Sequence, residues 1–137
     1  MSGIGAGWLD TNMVVRYLLG EPAEQAQAAA TIIEQSAQLW ISPVILAESY
    51  FVLLSVYQRT RAEIMDALIQ LINRKNIVVS SIDKALAIEA LHMCRDSGRV
   101  KLADALLWAE ARTSGETVVF TFDRRFPIAG ITRSESL

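Results

Sequence analysis

Short apolar runs alternate along this chain with longer stretches of helical periodicity. AGWL at 6–9, LWIS at 39–42, IVVS at 77–80 and VVFTF at 118–122 are brief and rich in aromatic or β-branched residues, which predicts strands. A further short strand is expected near Ile131. Between them the pattern predicts helices over 12–19 (NMVVRYLL), closed by Gly20, and from Glu21-Pro22 to about Ser36, with proline and acids in the first turn. Further helices are predicted from Pro43 to about Gln58, from Arg61 to about Asn73 after a Thr60 cap, from Ile82 to Arg95 before Ser97-Gly98, and from Lys101 to Ser114 before Gly115. Strands separated by helices imply an α/β fold: a central parallel sheet covered on both faces, the three-layer α/β/α sandwich. Ligands of such sheets sit at the carboxyl ends of the strands, where the topology reverses, and Asp10 and Asp123 each directly follow a predicted strand.

The 137 residues suffice for one domain, spanning 1–137, and 52 % apolar with 20 % charged residues describes a globular chain. No apolar run reaches the roughly 18–20 residues that cross a bilayer. MSGIGAGWLD lacks a basic segment followed by an apolar one, so no secretory signal is expected. Cys94, the single cysteine, rules out an internal disulfide and fits a reducing cytoplasm. A net charge of −2 argues against a surface coated with cations for nucleic acid, but leaves room for a local basic groove beside an acidic site.

Most of the fifteen acids have ordinary surroundings. Glu21, Glu24, Glu63, Asp66 and Asp83 fall at helix starts, where the macrodipole favours them. Glu34, Glu89, Glu110, Glu116 and Glu135 are assigned to solvated faces or loops. Four acids differ. Asp10 and Asp123 end apolar strands. Glu48 has Val44, Ile45, Phe51 and Val52 at helical spacing, so it lies on a face expected to be buried. Asp104 sits under Leu107 and Trp108, with Lys101 one turn away as a possible partner.

Burying a lone carboxylate costs several kcal/mol unless it is paired, and gathering four would force protons onto some. A hard divalent cation, Mg²⁺ or Mn²⁺, removes both penalties. Helix caps or ion pairs with nearby arginines explain any one of these acids equally well, but the sequence offers no matching set of four buried bases.

LDTN at 9–12, LAES at 46–49, LADALLWAEA at 102–111 and VVFTFDRRF at 118–126 resemble the four acidic motifs of the PIN domain, in that family's order and spacing. The resemblance runs from about Trp8 to Ile131, and the compact form is similar to the toxin of a VapBC toxin–antitoxin pair. It implies a PIN-like sandwich of Rossmann-like topology and Mg²⁺- or Mn²⁺-dependent endoribonuclease activity. Asp10, Glu48, Asp104 and Asp123 would be the catalytic, metal-binding acids. Thr11, Asn12 and Thr121 would orient carboxylates or waters. Two features depart from the family pattern: glycine-rich GIGAG replaces a longer apolar run before the first strand, and bases near the acids are few.

Such a site hydrolyses a phosphodiester by metal-activated water, with one ion or two, and needs no histidine. His92, the only one, reads as an ordinary helix residue. Arg16, Arg124 and Arg125 are the candidate RNA-binding residues, as phosphate contacts, with solvated surface or ion pairing as the competing reading. Single-stranded or loop RNA is the expected substrate, because its backbone is accessible. Tyr50, Phe51, Leu54 and Tyr57 exceed what one small core hides, so a homodimer or an antitoxin could cover them, with ordinary core packing as the alternative.

Other readings fare worse. GIGAG at 3–7 lacks the preceding strand of a dinucleotide-binding turn. A haloacid-dehalogenase-type phosphatase needs a second Asp where this chain has Asn12. One His and one Cys poorly support a zinc enzyme or thiol hydrolase. The competing function from another class is a non-catalytic PIN-fold module that binds RNA or protein, against which the intact set of four acids argues.

Overall fold

Five short strands find their hydrogen-bond partners in one another. The computed structural model describes residues 5–97 and 99–137. The order is β1 (Ala6–Leu9), α1 (Thr11–Leu19), α2 (Ala23–Gln35), β2 (Gln38–Ile41), α3 (Pro43–Ser55), α4 (Arg61–Ile72), β3 (Ile77–Val79), α5 (Lys84–Asp96), α6 (Leu102–Ser114), β4 (Val118–Phe120) and β5 (Thr132–Ser134). The strands form one sheet in the order β3-β2-β1-β4-β5, every pair parallel, flanked by helices as a three-layer α/β/α sandwich. The chain builds outward from β1 to β3, then returns to the other side of β1. The switch point therefore lies between β1 and β4, whose carboxyl ends lead to Asp10 and Asp123.

Local chemistry sets the helix limits. Asp10 caps α1 through the Met13 N–H, so the helix starts at Thr11, one residue before the expected position. Pro22 stands just outside α2, in extended conformation, rather than inside its first turn. Thr60 and Glu63 close a reciprocal capping box on α4. Gly20 and Gly115 end α1 and α6 in the left-handed conformation. The helix expected to reach Gln58 stops at Ser55, and Gln58 itself takes a positive φ of 54°. Asp83 caps α5, which starts at Lys84 rather than Ile82; of the break expected at Ser97-Gly98, Gly98 lies outside the described residues, as do Gly3 and Ile4 of GIGAG.

The sheet registers Trp8 against Trp40 and Val119, and Leu9 against Phe120. Trp8, Leu9, Ile32, Ile41, Trp108 and Phe120 are among the core residues. Gly7 is fixed by this packing: a Cβ there would stand 2.6 Å from the Val118 carbonyl oxygen and 2.9 Å from the Phe120 ring. Only glycine lets β1 and β4 approach so closely, and that approach sets the spacing of the two acids beyond them.

Candidate active site

Each of the four singled-out acids comes from a different element. Asp10 follows β1, Glu48 projects from the middle of α3, Asp104 lies in the first turn of α6, and Asp123 follows β4. All four line one cavity of about 150 Å³, together with Thr11, Asn12, Val52 and Lys101. The fold thus brings together residues up to 113 positions apart at the switch point of the sheet.

Burial dominates the electrostatics. Asp10 is 2 % exposed, and burial pushes its carboxyl from 3.8 up to about 7. Hydrogen bonds from the Thr121 hydroxyl and the Met13 N–H (2.9 Å) hold it lower than burial alone would, while Asp104 and Asp123 push it higher. Asp104 rises to about 6, first through burial and then through the charges of Asp123 and Glu48, with Lys101 opposing. Asp10 therefore senses Asp104 and Asp123, and Asp104 senses Asp123 and Glu48, with Lys101 as the opposing charge.

The smaller polar residues serve these acids. The Thr11 hydroxyl donates to Glu48 Oε1 at 2.7 Å. Thr121, itself buried, bonds Asp10 and accepts from the Asp123 N–H at 2.9 Å, coupling the two strand-end carboxylates. Asn12 is exposed at the cavity mouth. Glu48 is half-buried rather than buried: α3 is apolar on all sides, and Phe51, one turn on, is 61 % exposed.

The three arginines part company. Arg16 donates to the Glu21 carbonyl and the Tyr57 hydroxyl, both at 2.9 Å, and lies against the Tyr57 ring, away from the acids. Arg125 folds back to place Nε 3.8 Å from Asp123 Oδ1, which also accepts the Arg125 backbone N–H at 2.8 Å. Arg124 is exposed beside Asp123 in a neighbouring cleft. His92 is exposed on α5.

Glu110 corrects the sequence reading. It was expected on a solvated face, yet it is 2 % exposed on α6 and bonded to Ser42 Oγ at 2.5 Å, with Oε2 unpartnered. Burial raises its carboxyl above the ordinary range, and the Ser42 bond partly offsets this. The signal was present: Leu106, Leu107 and Trp108 precede it, and α6 is buried almost all round from Ala103 to Ala111. Ser42 also caps α3 through the Val44 N–H, so the pair ties the helix carrying Glu48 to the helix carrying Asp104.

Among the described residues, no three His, Cys, Asp or Glu side chains stand as a finished cage for an ion. The acids fit a hard cation in another way. They offer oxygen donors around a small polar cavity, and Mg²⁺ keeps several waters while taking only one or two carboxylates directly.

Solved structures share this fold. VapC20 of Mycobacterium tuberculosis, a toxin that cleaves the sarcin–ricin loop, is 20 % identical with a TM-score of 0.72, over 92 % of this chain and 96 % of that one. VapBC2 of Rickettsia felis, bound to a DNA fragment from its promoter, is 13 % identical with a TM-score of 0.65, over 95 % and 98 %. A protein of Pyrobaculum aerophilum is 16 % identical with a TM-score of 0.59, over 95 % and 90 %. Among curated proteins none matches the sequence. The PIN domain profile matches residues 8–131, and the chain belongs to the PIN domain family.

Proposed function

We propose that this protein is a divalent-metal-dependent endoribonuclease that acts as the toxin of a toxin–antitoxin pair. The observation that carries the reading is the convergence of Asp10, Glu48, Asp104 and Asp123 on one cavity at the sheet's switch point. Asp10, Glu48, Asp104 and Asp123 would hold Mg²⁺ or Mn²⁺. The bound cation supplies the charge that lowers the pKa of the attacking water and offsets the charge developing on the leaving oxygen. The remaining work falls to the chain's own groups. Thr121 and the Met13 N–H fix the Asp10 carboxylate, Thr11 fixes Glu48, and Asn12 orients water or substrate at the mouth. Lys101 limits the repulsion at Asp104.

The substrate is single-stranded or loop RNA, whose backbone enters a shallow cavity more readily than a duplex does. The loop cleaved by the structurally similar VapC20 is consistent with that class. Arg124 and Arg125 are the phosphate-contacting arginines, Arg125 exchanging its contact with Asp123 for the substrate. Arg16, already held by Tyr57 and Glu21, serves better as a brace between helices than as a phosphate ligand.

Partners are expected at an apolar groove of about 450 Å³ between α3 and α4, lined by Tyr50, Phe51, Met65 and Ile69. Phe51, Met65 and Ile69 are exposed there, an apolar cluster on the surface rather than scattered single side chains. An antitoxin and a second copy of the chain are the occupants proposed. No described helix is long and apolar enough to cross a membrane.

The test is incubation with labelled single-stranded RNA and Mg²⁺ or Mn²⁺, with EDTA and Asp10→Asn as controls. Cleavage requiring both metal and Asp10 supports the enzyme. Binding of RNA without any cleavage, and without metal at the acids, would favour a non-catalytic binding module instead.

A further inference from the structure

A second cleft opens at the same edge of the sheet. It has a volume of about 200 Å³, lies just beyond the ends of β4 and β5, and is lined by Thr121, Asp123, Arg124, Arg133, Ser134 and Glu135. Asp123 also lines the four-acid cavity, so the two depressions share a wall.

The β4–β5 register builds the cleft. Val119 pairs with Arg133 and Phe120 with Ser134, and the Thr121 N–H donates to the Ser134 carbonyl at 3.0 Å. Arg133 reaches across to the backbone carbonyl of Arg124, which brings the two arginines to one place. Among the described residues neither has a carboxylate ion-pair partner: the nearby contact belongs to Arg125 and Asp123. The hydroxyls are already committed, Ser134 to the Ser136 backbone and Thr121 to Asp10 and Asp123. The cleft's free hydrogen-bonding capacity is therefore guanidinium N–H, in a chain whose net charge is −2. Asp123 and Glu135, which also line the cleft, are its opposing charges.

Two guanidinium groups with no ion-pair partner among the described residues suit a phosphate, which accepts paired N–H bonds from a planar fork. A free anion would be repelled by Asp123 next door. A strand whose neighbouring phosphate would be held by a cation at the acids is instead tethered at both places. We propose that Arg124 and Arg133 form a phosphate-anchoring subsite that holds one backbone phosphate of the RNA strand next to the bond being cut. This rests on the ribonuclease reading of the adjacent acids. Sequence alone did not suggest Arg133, because it lies on an edge strand ten positions from Asp123, and only the parallel pairing of β5 with β4 brings it back.

The experiment uses the full chain with Mn²⁺ and a labelled single-stranded RNA. A series of uncharged methylphosphonate substitutions is placed at each position around the cleavage site. For wild type, one neighbouring position should matter beyond the scissile phosphate. Arg133→Ala should raise KM about tenfold with kcat within about twofold, and make the log–log salt dependence of binding shallower by about 0.7. In that variant the neighbouring methylphosphonate should cost nothing further. Arg133→Lys should restore the salt slope but only part of the affinity, since an ammonium keeps the charge without the fork.

An unchanged KM and slope in Arg133→Ala, or losses spread evenly over all methylphosphonate positions, would overturn the subsite. RNA binding is also measured in Asp10→Asn. Should no protein cleave while the Arg133 effects on binding persist, the nuclease reading fails and the phosphate site stands. Should cleavage require Asp10 and metal while Arg133→Ala behaves as wild type, the subsite alone fails.

Discussion

Asp10 is held in a state that the folded protein without metal resists. Its carboxyl rises from 3.8 to about 7, chiefly through burial, and a rise of that size corresponds to about 4 kcal/mol of folding free energy. The sign follows from proton binding. Between these two values the unfolded chain has released the proton that the folded chain keeps. Above about 7 the folded chain must carry a buried charge. The contribution of Asp10 to stability is therefore greatest below about pH 4 and is lost as pH rises through about 7. Asp10→Asn removes the charge and keeps most of the structure. Asparagine caps helices as well as aspartate does, so the Met13 N–H retains its acceptor, and Thr121 can turn its hydroxyl to accept from the new amide.

In EDTA at pH 8, Asp10→Asn should therefore melt above wild type. The full ~4 kcal/mol would raise Tm by about 15 °C, and at least about 5 °C is expected once imperfect geometry is allowed for. The gap should shrink to about two-fifths at pH 5 and nearly close at pH 4. Saturating Mn²⁺ should reverse the ranking: a ligand at 100 times its Kd stabilises by about 2.7 kcal/mol, and only wild type should gain it. Scanning calorimetry across pH, with EDTA and with Mn²⁺, reads all of this. A variant that melts at or below wild type at pH 8 in EDTA, or a gap that ignores pH, would refute the reasoning.

Glu110 follows the same sign by a separate route. Its raised carboxyl means stability falls as pH rises, so Glu110→Gln, which keeps an acceptor for Ser42, should gain on wild type from pH 5 to pH 8 in thermal melts. Glu110→Ala should instead cost about 2–3 kcal/mol in urea unfolding by leaving a cavity and an unpaired hydroxyl. Gly7→Ala should cost about 3 kcal/mol in the same assay, because the new Cβ meets a backbone carbonyl that cannot turn aside. Phe51→Glu with Ile69→Glu should leave the fold intact by circular dichroism and abolish self-association in light scattering, where wild type should exceed monomer mass.

The architecture was legible because its determinants are local. β-Branched runs, glycine stops and the Thr60–Glu63 box each act within a few residues, and their alternation leaves little choice but a parallel sheet. Asp10 and Asp123 were legible for a related reason: a carboxylate straight after an apolar strand lands at the sheet's carboxyl edge. The misplaced features depend on distant partners. The pattern extends a helix to Gln58, and nothing in its neighbours foretells the positive φ it takes. Arg133 carries no sequence signal of its own, because only the pairing of β5 with β4 brings it beside Arg124. Arg16 looked free until Tyr57, 41 positions away, took its guanidinium.

Glu110 is the more instructive miss, because the rule that singled out Glu48 applied to it equally. An acid among apolar helical neighbours is out of place, and both residues meet that description; it was Glu48 that proved half-exposed and Glu110 that proved buried. The rule detects an acid that folding must accommodate, and the accommodation differs. Glu48 lines a polar cavity together with three other acids. Glu110 has only a serine, and sits as a raised-pKa carboxyl with one oxygen unpartnered. Convergence of several such acids, rather than burial of any one, separates a catalytic candidate from a structural one. The serine partner nonetheless caps the helix of Glu48, while Glu110 shares a helix with Asp104. Its hydrogen bond to Ser42 thus ties together the helices that carry two of the four acids, from outside the cavity those acids line.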